Sequence, residues 1–180
     1  MVLLDILDML LGAAASLLGS ALLLRTYLGW LRVSRSNPVG VFCVALTDWL
    51  VAPLRRVLPF AGRLDSASLA GAVLIAVAFV FLMHVLRFHG FGDWYLVVPG
   101  ALLLVLHWAL YLLVALVIVN ALFSLINPHA PLAPTFDVLT RPVLAPLRRL
   151  IPPVGGFDLS PLVLVLGVQV LLYLLGQVVI

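Results

Sequence analysis

Two pairs of adjacent arginines are the residues of this sequence best suited to bind an anionic group. Pro-Leu-Arg-Arg occurs at residues 53–56 and again at 146–149. The guanidinium group is planar and can hold a phosphate or a carboxylate through two hydrogen bonds at once. The pairs therefore predict a surface that docks anionic lipid headgroups or a partner protein, although positive charge that only fixes membrane topology is the simpler alternative. The candidate docking residues are Arg55, Arg56, Arg148 and Arg149, with Arg141 close to the second pair.

One carboxylate follows each arginine pair at the same distance. Asp65 comes ten residues after Arg55, and Asp158 comes ten residues after Arg148. Each lies just ahead of an apolar run, where a carboxylate can accept hydrogen bonds from the free N–H groups of a helix start. We predict that both aspartates are helix caps, and that Ser160, which precedes a proline, is a third. A cation site or an ion pair with the preceding arginine is the alternative for the aspartates.

The arginine motif is part of a longer internal repeat. Asn-Pro precedes it at residues 37–38 and again at 127–128, and each copy lies between two long apolar runs. A repeat of this kind is the signature of a duplicated structural unit. The sequence therefore predicts two tandem helix–motif–helix units, at residues 1–95 and 96–180.

The composition places the chain in a lipid bilayer. Hydrophobic residues make up 65% of the sequence, charged residues only 9%, and the mean hydropathy is +1.29. A soluble domain needs far more polar surface. The net charge of +3 comes from a few arginines near apolar runs rather than from a basic face, so we do not expect nucleic acid as a partner.

The apolar runs predict an all-α membrane protein with four transmembrane helices. A bilayer requires about 20 apolar residues per helical span. Residues 41–54 form an apolar stretch of about 14 residues, interrupted by Thr47 and Asp48, and we expect a short amphipathic helix there that lies at the interface. The predicted spans are residues 9–30 and 66–86 in the first unit and residues 101–126 and 161–179 in the second.

Most of the arginines lie in two connecting segments, which predicts the orientation. The segment between spans one and two carries five arginines and that between spans three and four carries three, whereas neither tail carries any. Because basic residues accumulate on the cytoplasmic side, both motifs are expected there and both termini on the outer side. The two units would then run in the same direction, as parallel repeats.

At these residues the sequence resembles the YggT family (also called YlmG-like) of small integral membrane proteins. The resemblance rests on the two Asn-Pro pairs, the two Pro-Leu-Arg-Arg-x-x-Pro stretches and the sequence Gly-Gly-Phe-Asp-Leu-Ser-Pro at residues 155–161. The second copy matches the family pattern more closely, because residues 48–49 of the first copy replace the polar-Pro pair that residues 141–142 keep. The resemblance implies about four spans and a cell inner-membrane location, and it brings no catalytic residues.

A few polar residues interrupt the predicted spans. Arg25 falls near the end of the first span, where its side chain could reach the headgroups, and an ion pair within the membrane is the alternative. Gln169 lies in the middle of the fourth span and predicts a hydrogen bond between helices. Small residues suited to close helix contacts recur in the spans: Gly12, Ala13, Ala14, Ala15, Gly19, Gly71, Gly167 and Gly176.

The sequence offers little basis for catalysis or metal binding. Glutamate is absent, Cys43 is the single cysteine, and no phosphate-binding loop or metalloprotease motif occurs. His84, His89 and His107 could meet near one end of the second and third spans, but interfacial histidines without a ligand are the simpler interpretation. We therefore expect no cofactor and no metal.

The preferred function is a non-enzymatic membrane scaffold or assembly factor. Its cytoplasmic arginines would engage anionic headgroups, and a membrane-protein partner or a second copy of the chain. The alternative is a small channel or transport-related protein with a role in osmotic or ion homeostasis. A pathway for ions requires polar residues along an interior face, and the predicted spans have few.

Overall fold

The computed structural model describes residues 2–34, 37–58, 64–88, 94–151 and 158–179, and the long elements in this part of the chain are all α-helices. The chain divides into two compact units, with the boundary between residues 109 and 110, so that α4 contributes to both. The helices are α1 (Val2–Trp30), α2 (Pro38–Val57), α3 (Ser66–Phe88), α4 (Val97–Ile126), α5 (Ala133–Leu150) and α6 (Ser160–Val179).

The first unit is built on an antiparallel pair of helices, α1 and α3. An ion pair between Asp8 and Arg87 joins the start of α1 to the end of α3, and the Arg25 side chain near the end of α1 approaches Asp65 just before α3. Between these ends, small side chains allow close packing. The core there consists of Ala15, Ala76, Ala101 and Trp108, so the first part of α4 packs against the pair.

Two of the helices begin earlier than the sequence predicts. α1 begins at Val2 rather than near residue 9, since Asp5 lies in its first turn, where a carboxylate interacts favourably with the helix dipole. α4 begins at Val97 rather than after Pro99-Gly100, because a proline in the first turn removes an N–H that has no intrahelical partner. A single turn of 3₁₀ helix, Trp94–Leu96, precedes α4.

The helix α2 is longer than the 14 residues predicted for the interfacial segment. It has 20 residues, which corresponds to about 30 Å. The Asn37 side chain accepts a hydrogen bond from the N–H of Val39 at 3.0 Å, and Pro38 takes the first helical position, so the helix starts three residues early. Pro53 lies inside the helix and does not end it, and α2 continues to Val57.

One face of α2 packs on the α1–α3 pair. Val51 is fully buried against Leu22 of α1 and Ala67 and Ala72 of α3, with Leu50 and Leu54 at the edge of this cluster. Their spacing places these α2 residues on one side of a helix. The opposite side of α2 is exposed and largely apolar, with Val41, Phe42 and Trp49 among its residues.

The second unit contains the remainder of α4 together with α5 and α6. Val114 of α4 packs against Val168 and Leu172 of α6. In α5, Leu139, Thr140 and Leu144 are fully buried, and the helix continues past Pro142 and Pro146. Asn127 accepts a hydrogen bond from the N–H of His129, as Asn37 does from Val39, but α5 begins only at Ala133, after a turn.

Five of the described helices are long and apolar enough to cross a membrane: α1, α2, α3, α4 (with the preceding 3₁₀ turn) and α6. The prediction of an all-α multi-pass membrane protein is therefore confirmed at this level. The expectation that the segment of α2 is too short to span is wrong, because the helix extends three residues beyond residues 41–54 at each end. α5 is not among the five.

Candidate functional site

The first arginine of the first motif pairs with the aspartate that follows it. Arg55 Nη2 lies 2.5 Å from Asp65 Oδ2, and Asp65 is almost fully buried. The other oxygen, Oδ1, accepts a long hydrogen bond of 3.4 Å from the N–H of Ser68 in the first turn of α3. Asp65 therefore combines the two alternatives of the sequence, since it caps α3 and also forms an ion pair that holds the end of α2 at this helix start.

The second motif has the same arrangement in the second unit. Arg148 Nε donates to Asp158 Oδ2 at 2.7 Å, and Asp158 Oδ1 accepts a hydrogen bond of 2.9 Å from the N–H of Ser160, the first residue of α6. Partial burial raises the pKa of the Asp158 carboxyl, but the hydrogen bonds from Ser160 and the interaction with Arg148 outweigh it, so this pKa is below its ordinary value. Both carboxylates thus join an arginine to a helix start.

The second arginine of each pair is in a different situation. Arg56 and Arg149 are exposed, and in the described part of the chain neither forms an ion pair. Arg141, the fifth candidate docking residue, donates to Asp137 on the same helix at 2.6 Å, one turn earlier, and remains mostly exposed. Within each motif, the first arginine is held in an ion pair with an aspartate, whereas the second is exposed and available to bind another group.

A buried ion cluster lies beside the first motif. The Arg25 side chain is only 4% exposed; it donates from Nη1 to Thr47 Oγ1 at 3.0 Å and from Nη2 to Asp48 Oδ1 at 2.9 Å. Its Nε is 3.8 Å from Asp65 Oδ2, the oxygen that also receives Arg55. One guanidinium therefore connects α1, α2 and the start of α3.

The local sequence of α2 sets up this cluster. Thr47 donates its hydroxyl hydrogen to the Cys43 carbonyl oxygen one turn earlier, which leaves the hydroxyl oxygen free to accept from Arg25. Thr47 and Val51 are one turn apart on the buried face, and Asp48 lies at its border and is 53% exposed. The cluster thus contains two arginines and two carboxylates, so its formal charges balance.

Sequence reasoning missed most of this cluster. The sequence favours an Arg25 side chain that reaches the headgroups along its own stem, whereas the structure shows it buried and paired with Asp48. The usable signal is an arginine inside an apolar helix together with an aspartate in the next apolar segment, since a charge buried in a membrane protein needs a partner. What the sequence does not reveal is the face of α2 that turns towards α1.

The other polar residues singled out from the sequence are separate from these sites. His107 Nδ1 lies 2.9 Å from the Leu103 carbonyl oxygen of its own helix, and His89 lies outside the described residues. Within the described ranges, no three His, Cys, Asp or Glu residues are grouped so that they could hold a metal ion. Gln169 is exposed on α6 and makes no side-chain hydrogen bond to the described residues.

The glycines fall into two groups. A Cβ atom on Gly19 would lie 2.2 Å from the ring of Trp108, so the ring can pack against α1 there because Gly19 has no side chain. A Cβ atom on Gly71 would lie 3.3–3.5 Å from side-chain carbons of Leu22 and Leu50, which is slightly tight to ordinary contact. By contrast, a Cβ atom on Gly167 or Gly176 of α6 would have nothing within 4 Å, so only part of the predicted set serves contacts within the chain.

The comparison with known families bears on both halves of the chain. The family described as CCB3/YggT matches residues 3–86 and 99–179, which include both arginine motifs and both capping aspartates. The chain belongs to the CCB3/YggT family. The resemblance seen in the Asn-Pro pairs and the arginine motifs is thereby confirmed.

Relatives within the family match over most of their length. The chain is 33% identical to the uncharacterized protein YggT of Escherichia coli K12 over 166 residues, which are 92% of this chain and 86% of the relative. It is 32% identical over 157 residues to the uncharacterized protein in the proC 3' region of Vibrio alginolyticus, or 83% of this chain and 84% of the relative. No solved structure matches the chain. The names of these relatives state no activity, so the functional argument rests on the geometry.

Proposed function

We propose that this CCB3/YggT family protein is a non-enzymatic scaffold of the cell inner membrane. Its cytoplasmic arginine face binds anionic lipid headgroups and through them, or directly, a membrane-protein partner. In this arrangement four helices span the bilayer as two parallel repeats, with both termini on the outer side. α2 and α5 lie at the cytoplasmic interface, where polybasic residues are attracted to anionic lipids.

The observation that carries the proposal is the division of roles within each arginine pair. Arg55 and Arg148 are held by Asp65 and Asp158, whereas the neighbouring side chain in each pair is exposed and forms no ion pair with the described residues. A charge needed only for topology does not require a fixed neighbour. A docking site does, because a guanidinium next to a rigid ion pair is presented from a defined backbone position.

The contacts of α2 support its placement at the interface. Its packing residues meet α1 at Leu22 and Arg25, near the end of that helix, and meet α3 at residues 65–75, near its start. A helix that crossed the bilayer beside α1 and α3 would be expected to pack along most of their length. The exposed apolar side of α2, including Phe42 and Trp49, would then lie among lipid chains and headgroups.

The exposed face of α6 supports an interaction with a second copy of the chain. Gln169, Tyr173 and Gln177 are exposed at a spacing of four residues, which places them along one side of the helix. A glutamine amide both donates and accepts, so two copies of this face can pair with each other. Amides that are exposed to lipid are costly, and hydrogen bonds between helices remove that cost.

The proposal can be tested by separating the two arginines of each pair. Purified protein in detergent would be titrated with phosphatidylglycerol that carries a fluorescent label. We expect the double variant R56Q/R149Q to bind several-fold more weakly with unchanged thermal stability, and more so at low salt, where charges are less screened. R55Q/R148Q is expected to lower the thermal stability instead.

Lysine substitution provides the control for geometry. R56K/R149K keeps both charges and loses the planar fork, so binding that depends on bidentate contacts should weaken, whereas purely electrostatic binding should remain. If R56Q/R149Q binds phosphatidylglycerol as the unaltered protein does, the second arginines are topology signals only and the docking proposal fails.

A small channel or transport-related protein remains the second candidate, and one observation favours it. The cluster of Arg25, Asp48, Asp65 and Arg55 includes charged side chains buried among apolar helices, and such residues often mark ion or substrate pathways. Ion flux into vesicles containing the purified protein distinguishes the candidates. A flux that D48N changes while the thermal stability stays close to that of the unaltered protein would favour transport, and an absence of flux above empty vesicles would favour the scaffold.

A further inference from the structure

A small cleft in the second unit lies between the last turns of α4 and the helix α5. Its volume is about 250 Å³. Beside it the rings of Phe123 in α4 and Phe136 in α5 are in contact, with centroids 5.4 Å apart. The cleft is lined by Asn120 and Ser124 of α4, Asp137 and Arg148 of α5, and two prolines, Pro128 and Pro134.

Asn120 is the most informative residue of the cleft. This residue is only 9% exposed, lines the cleft, and forms no side-chain hydrogen bond with the described residues. A buried carboxamide without a partner is costly, and more so in a membrane protein, where water is scarce. The amide offers both a donor and an acceptor, so it can bond a polar group that enters the cleft.

The two charged residues of the cleft each retain free polar atoms. Asp137 Oδ2 accepts a hydrogen bond from Arg141, and no described residue donates to Asp137 Oδ1. Arg148 Nε donates a hydrogen bond to Asp158, and no described residue accepts from the two terminal nitrogens of Arg148, Nη1 and Nη2. The cleft therefore offers one anionic oxygen and two cationic nitrogens in addition to the amide. This arrangement complements a ligand that carries both a negative and a positive group.

We propose that the cleft binds the headgroup of a phospholipid with a primary amine, such as phosphatidylethanolamine. The phosphate lies against the terminal nitrogens of Arg148, and the ammonium donates to Asp137 Oδ1 and to the side-chain carbonyl oxygen of Asn120. A lipid is the ligand because the cleft opens beside the end of an apolar helix long enough to cross the bilayer. The inference deepens the proposed function and rests on the location of α5 at headgroup level.

The amine is the group that gives specificity. Its N–H groups can donate to Asp137 and Asn120, whereas the trimethylated ammonium of phosphatidylcholine carries a similar charge and has no N–H. Phosphatidylglycerol keeps the phosphate and lacks the cation. Comparison of the three lipids therefore separates recognition of the amine from attraction of the phosphate.

The experiment is native mass spectrometry of the detergent-solubilised protein with each of the three lipids in turn. We expect phosphatidylethanolamine to bind about tenfold more tightly than phosphatidylcholine, which corresponds to the loss of about one charge-assisted hydrogen bond. D137N and N120L are expected to abolish this preference. R141Q is the matched control, because it breaks the same Asp137–Arg141 ion pair but leaves the carboxylate in the cleft, and it should retain the preference. Thermal unfolding of each variant identifies one that fails to fold, and the other of D137N and N120L then carries the test.

The outcomes also separate this inference from the docking proposal. Equal binding of the ethanolamine and choline lipids by the unaltered protein overturns the inference, as does a preference that folded D137N and N120L both retain. A preserved ethanolamine preference in R56Q/R149Q supports the inference even if the docking of anionic lipids fails.

Discussion

The guanidinium of Arg25 on α1 forms an ion pair of 2.9 Å with Asp48 on α2, and of these two side chains only the arginine is buried. The same guanidinium is near Asp65, which is buried as well. The loss of Asp48 therefore has a different consequence from the loss of Arg25. This difference yields the first prediction.

We expect R25Q to destabilise the first unit far more than D48N. R25Q leaves the buried Asp65 with less positive charge around it, and removal of one member of a buried pair typically costs about 3–5 kcal/mol. D48N removes a carboxylate that is half exposed, and such pairs contribute about 1 kcal/mol or less. Thermal unfolding in detergent, followed by circular dichroism, measures both. Equal losses for the two variants would mean that Arg25 is not buried in the folded protein.

The second prediction concerns the contact of Gly19 with Trp108. G19A places a methyl group where the indole ring lies, so the ring or the helices must shift, and overpacking of this kind costs about 1–3 kcal/mol. G167A is the matched control, because nothing lies within 4 Å of that position and alanine favours a helix. Thermal unfolding should show a loss for G19A and no loss for G167A. A stable G19A protein would argue against packing of the Trp108 ring on Gly19.

The third prediction is a pH dependence that arises from Asp158. Because its pKa is lower in the folded protein than its ordinary value, the carboxylate stabilises the fold above about pH 3.9, the value of an unperturbed aspartate. This stabilisation is lost as the pH falls through the lowered pKa of the folded state. The unfolding temperatures of the unaltered protein and of D158N should therefore differ between about pH 5 and pH 7 and converge in acid. A difference that stays constant with pH would show that the charge of Asp158 does not contribute.

The fourth prediction tests the exposed face of α6. In a background with Cys43 replaced by alanine, Q169C and Y173C should form disulfide-linked dimers in native membranes under mild oxidation. L172C is the control, since Leu172 is buried within the second unit. Dimers from all three variants, or from none, would contradict an interface formed by this face. Crosslinking to a different protein at Gln169 would identify another occupant.

The fifth prediction concerns the number of spans. With α2 at the interface, tags at both termini should report the outer side of the membrane, and a cysteine introduced at residue 34 should react from the cytoplasm. If α2 crosses the bilayer while α5 does not, one terminus moves to the cytoplasm. A cytoplasmic C-terminus would therefore contradict the four-span arrangement and give five spans.

The sequence alone determined the class of protein and the location of the motifs. Apolar runs of about 20 residues require a bilayer whatever the packing, so the multi-pass class follows from composition. The repeat placed Asp65 and Asp158 at helix starts, because capping depends on neighbouring residues only. The family resemblance rested on the same short-range patterns. Helix ends were predicted less well, since Asn37 and Pro38 extend α2 beyond its most apolar part.

Only the tertiary structure decided which side chains meet across helices. Arg25 could have extended to the headgroups or paired with a carboxylate, and the choice depends on the rotation of α2 about its axis, which no local pattern fixes. For the same reason Gly19 and Gly167 look alike in the sequence, although one lies against Trp108 and the other has open space. Asn120 likewise became a candidate binding residue only when α5 placed Asp137 and Arg148 around the same cleft.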